Sequence, residues 1–326
     1  MQRKMNSILK IVAESNEPVG SKEISEKLEQ LGIDMPERTV RYHLKKLNEK
    51  GLLKVFWKEG RMITSKGMEE LNEALIYDKV GLVSAKIETK AYKMDFDVDK
   101  KEGSVILNLS LFCKNDFEQA REVMAPVFEK RYATSDLVAV AGEGEQLGGV
   151  TVPEGKVAFG TLCTININGI FLRHSIPVES KFGGLLRIEK ENPLRFTDLI
   201  EYKGTTLDPH EIFIKSRMTS VNRACLGTGK VLAGLREIPS AGCHEAEAIL
   251  RKIESARVGR VIAIGRPGQA ILGWPIGEQR VGIVVPGGLN PVAAAEEAGI
   301  KTESKALFTL LDYRELKSFW EIHNRF

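Results

Sequence analysis

Between Pro36 and Gly51 the chain carries a pattern that dictates a helix and assigns a use to each of its faces. Val40, Leu44 and Leu47 fall at i, i+4 and i+7 and so share one side. At about 100° per residue, Arg38, Arg41, Tyr42 and Lys45 project from the other side, with Thr39 and Lys46 at its margins. Two shorter helices are predicted before it. The first carries Met5, Ile8 and Val12, widened by Leu9 and Ile11. The second opens after Pro18, Val19 and Gly20 with Ser21 as N-cap, and carries Ile24, Leu28 and Leu31 up to Gly32. Ile33, Asp34 and Met35 connect it to Pro36, expected in the first turn of the third helix, and Gly51 is the stop.

The residues that follow read as a hairpin. Leu52 to Trp57 is a strand-like run, Lys58, Glu59 and Gly60 make the turn, and Arg61 to Thr64 return. Ser65 is expected to cap a short helix through Ile76. From Arg38 to Lys66 there are nine basic residues against two acidic ones, although the whole chain is only +3. Three helices, a hairpin and concentrated positive charge make residues 1–76 a winged helix-turn-helix built for a phosphate backbone. The third helix is then the recognition helix, with Lys58 and Arg61 on the wing.

Beyond a short junction at Tyr77, Asp78 and Lys79 the texture changes to Val/Ile/Leu strands and glycine-rich turns, and the pattern repeats. Ser104 to Phe112, a helix over 116–130, the strand Leu137 to Ala141 and the loop Gly142 to Gly144 are echoed later. Their counterparts are Lys230 to Leu235, a helix from His244 to Ser255, Val261 to Ile264 and the loop Gly265 to Gly268. A further match aligns Ile176, Pro177 and Val178 with Trp274, Pro275 and Ile276, Gly184 with Gly282, and Asn192-Pro193 with Asn290-Pro291, each pair 98 positions apart. On that alignment Asn-Pro starts a helix twice (Leu194 to Tyr202, Val292 to Ala298), each leading to a strand (Glu211 to Lys215, Ala306 to Leu311). The expectation is an α+β chain: a winged helix-turn-helix followed by an internally duplicated α/β-type regulatory domain, residues 80–326, with halves at about 80–215 and 216–326. A crevice between such halves is a common ligand site.

With Gly160 to Gly169 (GTLCTINING) and Gly288 to Gly299 (GLNPVAAAEEAG) added to the winged helix, the chain resembles the archaeal nitrogen-regulatory repressors of the NrpR family over its whole length. The resemblance implies repression of nitrogen-assimilation genes, relieved by 2-oxoglutarate bound in the C-terminal domain. A ligand-controlled repressor of this kind is expected to bind an inverted-repeat operator of double-stranded DNA, a homodimer presenting two recognition helices to the half-sites. Some members carry two regulatory domains and this chain has room for one, which leaves open a partner chain with further regulatory domains.

A dicarboxylate sensor calls for Arg or Lys, helix N-termini and backbone amides. Ser240, Gly242, Cys243 and His244 stand where a helix begins. Gly142 and Gly144, and Arg266 in the equivalent loop, stand at strand ends, and Arg173 and His174 follow an apparent strand. A capped helix start, tight turns and a surface pair explain the same residues without a ligand. Neither glycine loop has the dinucleotide fingerprint with its downstream acid, so no nucleotide cofactor is expected. The cysteines (Cys113, Cys163, Cys225, Cys243) contain no CxxC pair, which argues against zinc and disulfides and for a reducing cytoplasm. Cys163, Cys225 and Cys243 either cluster or are buried as small hydrophobes. No catalytic set at convincing spacing, signal peptide or membrane-spanning run is read. Two other functions are compatible with this pattern: an enzyme acting on a small keto-acid with an appended DNA-binding domain, and a co-repressor that mainly binds other proteins.

Overall fold

The computed structural model describes residues 2–15, 17–30, 33–57, 59–74 and 82–322. Lys58, Leu31, Gly32, Ile76 and the junction Tyr77 to Lys79 lie outside the described residues. The chain divides into two compact units, Met1–Gly81 and Leu82–Phe326.

In the first unit α1 (Gln2–Ala13), α2 (Ser21–Gln30) and α3 (Glu37–Glu49) precede the hairpin β1 (Leu53–Phe56) and β2 (Gly60–Ile63), and α4 (Ser65–Ala74) follows. Ile8, Leu9, Ile24, Leu28, Val40, Leu44 and Leu47 are buried in one core, as their spacing requires. The caps differ in detail from expectation. Pro36 is the N-cap of α3. Thr64 caps α4, its hydroxyl accepting from Gly67 N at 3.0 Å. The hydroxyl of Ser21 donates instead to Glu37. The hairpin is pinned from outside by Val19, whose backbone exchanges two hydrogen bonds with Arg61. That close approach needs Gly60: at φ +135° a Cβ there would sit 2.5 Å from the Val19 carbonyl.

The second unit opens with α5 (Val83–Lys93) and then runs one motif twice. The first copy is β3 (Ser104–Cys113), α6 (Phe117–Glu129), β4 (Leu137–Ala141), the small hairpin β5 (Gln146–Leu147) and β6 (Val150–Thr151), β7 (Lys156–Leu162), α7 (Asn166–Arg173) and β8 (Glu179–Glu189). After β9 (Asn192–Glu201), α8 (Pro209–Lys215) and α9 (Val221–Cys225) comes the second copy. It is β10 (Thr228–Pro239), α10 (Cys243–Ser255), β11 (Ala263–Ile264), β12 (Arg280–Pro286), α11 (Asn290–Glu297) and β13 (Thr302–Asp312), with β14 (Lys317–Ser318) at the end. The two sheets are ordered β13-β3-β7-β4-β14 and β11-β12-β10-β8-β9, antiparallel throughout.

The copies exchange their last strands. β8 of the first pairs with β10 of the second, and β13 of the second pairs with β3 of the first. Helices follow suit, α6 packing on α11 and α7 on α10. Both large apolar cores therefore mix residues of the two copies, such as Leu107 with Val281 and Val285 in one, or Phe159 with Leu232 in the other. A cut near residue 215 separates no self-contained halves.

The register of the duplication also needs correction. α6 and α10 start 126 positions apart, and α7 and α11 start 124 apart. The 98-position match is a coincidence of Asn-Pro dipeptides. Ile176 follows α7, whereas Trp274 precedes β12. Asn192-Pro193 opens the strand β9 rather than a helix over Leu194 to Tyr202, because β9 is a sheet edge that tolerates the missing Pro N–H and alternates in burial. Glu211 to Lys215 belongs to α8 rather than a strand, capped by Asp208 accepting from His210 N and Glu211 N.

The true counterpart of Asn290 is Asn166. Each sits fully buried at a helix start and spans a gap to the first strand of its own copy. Asn166 accepts from Ile106 N at 2.7 Å and donates to Ile106 O and Cys163 O at 2.9 and 2.8 Å. Asn290 accepts from Leu232 N at 2.8 Å and donates to Leu232 O and Tyr132 O at 2.9 and 2.8 Å. The strand carbonyls keep a second donor, Cys163 N for Ile106 O and Gly287 N for Leu232 O, so replacement of either asparagine by Leu strands chiefly the strand N–H, at about 1–3 kcal/mol. Asn166→Leu and Asn290→Leu should each cost about 1–3 kcal/mol by urea unfolding; unchanged midpoints in both would show the clamps to be incidental.

Candidate nucleic-acid interface and buried arginine centre

On α3 the sequence-nominated face is presented as its spacing demands. Arg38, Arg41, Tyr42 and Lys45 are exposed, while Thr39 and Lys46 are half-buried. The face is preorganised. Arg41 reaches back to Glu37 Oε1 at 2.7 Å and to Ser21 Oγ at 3.3 Å, and Ser21 donates to the same carboxylate oxygen at 2.8 Å. The Ser21 hydrogen bond, then Arg41, hold the Glu37 carboxyl below its usual range. The Lys46 ammonium lies 4.6 Å from the Tyr42 ring centroid, and Lys45 is 4.0 Å from Glu49. The wing departs from expectation. Arg61 is not at its tip: it pairs with Val55 across the hairpin and with Val19 behind it, and it is half-buried with Nε shielded from solvent. The tip instead exposes Trp57, at 84%. The strand expected to run to Trp57 ends at Phe56; Val55 and the half-buried Phe56 point to opposite faces of the ribbon, and Val55, like Trp57, is left open.

In the second unit the nominated ligand residues stay apart. Gly142 and Gly144 belong to a turn closed by Glu145, which accepts from Gly142 N at 2.7 Å. Arg173 ends α7 and His174 is its C-cap, Nδ1 lying 2.9 Å from Ile170 O; both are exposed on a helix rather than after a strand. Ser240 and Gly242 form the short turn before α10, where Cys243 is half-buried and His244 exposed. Arg266 is exposed in the loop after β11. The cysteines do not gather either: Cys163 and Cys243 pack with one core and Cys225 with the other. Among the described residues no group of three or more His, Cys, Asp or Glu is placed to hold a metal ion, and no helix is long and apolar enough to cross a membrane.

The structure points elsewhere, to Arg236. This side chain on β10 is fully buried. Its Nε donates to Asn168 Oδ1 at 2.8 Å and its Nη2 to Thr164 Oγ1 at 2.7 Å; Nη1 is buried without a hydrogen-bond partner among the described residues. None of the described carboxylates forms an ion pair with it. Burial lowers its pKa, yet a guanidinium stays protonated in proteins, so the site holds an uncompensated cation. Thr164 precedes α7 and Asn168 lies in its first turn, where the helix dipole adds positive potential. Asn168 donates in turn to Ser180 Oγ at 2.9 Å. Together Asn168 and Ser180 also line an open groove of about 680 Å³ bounded by Ile87, Tyr92, Leu172 and Lys203. A second, small cavity of about 20 Å³ lies among Asn108, Cys163, Thr164, Tyr202, Asp208 and His210.

Duplication shows that this centre is special. In the cross-strand register Arg236 faces Ser180, and the equivalent pair in the other sheet is Ser110 facing Ser304. There two hydroxyls, 2.8 Å apart, satisfy each other. One copy thus closed the position and the other charged it. No sequence signal marks Arg236: it follows directly on the expected strand Lys230 to Leu235 and looks like any arginine at a strand end.

Burial also displaces two groups by the small cavity that titrate in the acid range, Asp208 and His210. It pushes the Asp208 carboxyl up to about 6, opposed by the His210 and Glu211 amides, and it pushes His210 down to about 4. Because Asp208 takes its proton earlier in the folded chain, its contribution to stability falls as pH rises from about 4 to 6. For His210 the unfolded chain protonates first, so stability is lost as pH falls from about 6.5 to 4. The two slopes oppose each other. Asp208→Asn keeps the helix cap and removes one of them. As pH is lowered from about 6.5 to about 4.5, its urea midpoint should fall more steeply than that of wild type; parallel profiles would refute the assignment.

Comparison with known proteins agrees with this architecture. A sequence model of NrpR regulatory domains 1 and 2 matches residues 80–318, and one of the ribonuclease R winged-helix domain matches residues 6–71. The global nitrogen regulator NrpRI of Methanosarcina mazei is 36% identical over 97% of this chain and 98% of its own length. The global nitrogen regulators NrpR of Methanococcus maripaludis and Methanocaldococcus jannaschii are 32% and 31% identical over 95% and 90% of this chain, which spans 54% and 51% of their lengths. The crystal structure of a nitrogen repressor-like protein from Methanococcus jannaschii superposes with a TM-score of 0.63 at 29% identity, covering 73% of this chain and 98% of that one. With both units matched in order, the chain belongs to the NrpR family of nitrogen regulators.

Proposed function

We propose that this protein is a DNA-binding repressor of nitrogen-assimilation genes whose hold on its operator is released by 2-oxoglutarate. The recognition helix supplies the DNA half of this reading: Arg38, Tyr42 and Lys45 stand exposed on one face, with Arg41 held in place by Glu37 and Ser21. A homodimer would present two such faces to an inverted repeat, and relatives about twice as long leave room for a partner chain with further regulatory domains.

The observation that carries the effector half is Arg236, a buried guanidinium with a partnerless Nη1 behind the floor of a groove. A buried cation without a counter-charge suits a carboxylate ligand, and the groove, unlike the small cavity, has the volume for a molecule of that size. In this reading one carboxylate engages Arg236 beside Thr164 and Asn168 at the start of α7, and the other end meets Lys203.

Fluorescence anisotropy on a nitrogen-promoter fragment, titrated with 2-oxoglutarate, tests both halves. Wild type should bind in a salt-dependent manner and dissociate as the ligand rises. Arg38→Ala with Lys45→Ala should weaken DNA binding at least about tenfold and flatten its salt dependence. Arg236→Met should remain folded with undiminished stability, since a well-packed apolar side chain replaces a desolvated charge, bind DNA as wild type does, and no longer respond to 2-oxoglutarate. Release of Arg236→Met at the wild-type ligand concentration would remove Arg236 from the site.

A further inference from the structure

The wing tip carries a feature that helix α3 does not explain. Trp57 is 84% exposed, Val55 beside it 48% and Tyr42 on α3 51%, on a unit whose core draws only on Leu52, Leu53 and Ile63 from this region. Among the described residues the Trp57 ring makes no aromatic contact or hydrogen bond. With Val55 also open, the indole gives the wing an apolar tip that carries one hydrogen-bond donor. Its surroundings are basic: Lys54 lies 5.4 Å from the Phe56 ring centroid on the same strand, and the stretch from Arg38 to Lys66 holds nine basic residues against two acidic ones. Charge of that sign favours a polyanion over an apolar protein surface.

We infer that Trp57 is a direct contact to duplex DNA, seated in the minor groove beside the major-groove segment met by α3. This rests on the DNA-binding reading above. The chemistry of the indole selects the groove. Its Nε1–H is a donor with no acceptor, and the minor groove at A·T pairs presents only acceptors, whereas a G·C pair adds the protruding guanine amino donor. Its flat apolar body is of the kind that proteins bring into that groove, where apolar side chains lie against or between the bases. The tip is held at a fixed height by the Val19–Arg61 backbone pairing and by Gly60, so the ring is offered on a rigid support.

The test uses the full chain and a duplex selected by wild type from a random-sequence pool, synthesised with A·T or with G·C pairs in the flank beyond the major-groove contact. Trp57→Ala should weaken binding to the A·T-flanked duplex about tenfold or more and cost much less on the G·C-flanked one. Trp57→Phe should fall between, keeping the packing and losing the donor. The salt slope should not change, because no phosphate contact is removed, and the urea midpoint should match wild type, because the ring packs on nothing within the fold. Wild-type affinity for both duplexes in Trp57→Ala, or an equal loss on both, overturns the proposal. Failure of wild type to select any duplex would instead bring down the DNA-binding reading itself, which Arg38→Ala with Lys45→Ala tests independently of the wing.

Discussion

Two buried asparagines hold the regulatory unit in shape. Asn166 and Asn290 each fix the start of a helix to the backbone of the first strand in their own copy of the motif, through one accepted and two donated hydrogen bonds. The side-chain amide suits this role because it offers an acceptor and two donors in one plane, so it can complete a strand's N–H and C=O together. At these positions a carboxylate would face carbonyl oxygens, and an apolar residue would leave the strand N–H unpaired in a medium that penalises it. The loops Cys163–Ile165 and Gly287–Leu289 lead into these clamps and run close to each other's copy. Gly288 has no room for a side chain against Leu162 O, where a Cβ would lie at 2.3 Å.

The clamp on the first copy also sets the arginine centre. Asn168 is two residues beyond Asn166, and Thr164 two residues before it, so fixing Asn166 fixes both acceptors of Arg236. The second copy has the same clamp but Gly288 and Val292 where the first has Thr164 and Asn168, and no arginine is offered in return. A duplicated scaffold has kept its structural amides twice and its charge once. Structural necessity accounts for the symmetric part; the asymmetric part is where function is to be sought.

What was legible in the sequence follows from how local each determinant is. The third helix was readable because Val40, Leu44 and Leu47 define its face without help from distant residues, and Gly51 adopts the left-handed stop expected of it, at φ +74°. The first part of the duplication was readable for the same reason, α6 and α10 each being 13 residues after a long strand. The second part failed on a dipeptide: Pro291 advertised Asn290, Pro193 falsely advertised Asn192, and Asn166 has no proline beside it. Strand exchange left no trace either, since β8 and β13 have the same apolar alternation whichever copy they join. Arg236 was hidden because its burial comes from α7 and β8, which lie well over a helix length away in sequence. Trp57 was hidden because exposure is a property of the fold and not of the residue.

The exchange of strands decides how a change at Arg236 would spread. Arg236 lies on β10 of the second copy, Asn168 on α7 of the first, and Ser180 on β8, the strand by which the first copy enters the second copy's sheet. The three form one chain of hydrogen bonds across the seam. The ladder between β8 and β10 already shifts register between Leu235 and Arg236, so regular pairing is interrupted where the arginine emerges. An anion that takes the place of Asn168 on the guanidinium would free the Asn168 side chain and, with it, the hold on Ser180. Of these contacts, Arg236 to Asn168 joins the two copies, and Asn168 to Ser180 carries it on to the exchanged strand of the first. In the proposed function, an anion arriving at Arg236 would therefore act on contacts at the seam where the copies interlock, a seam that a single-copy domain with the same arginine would not have.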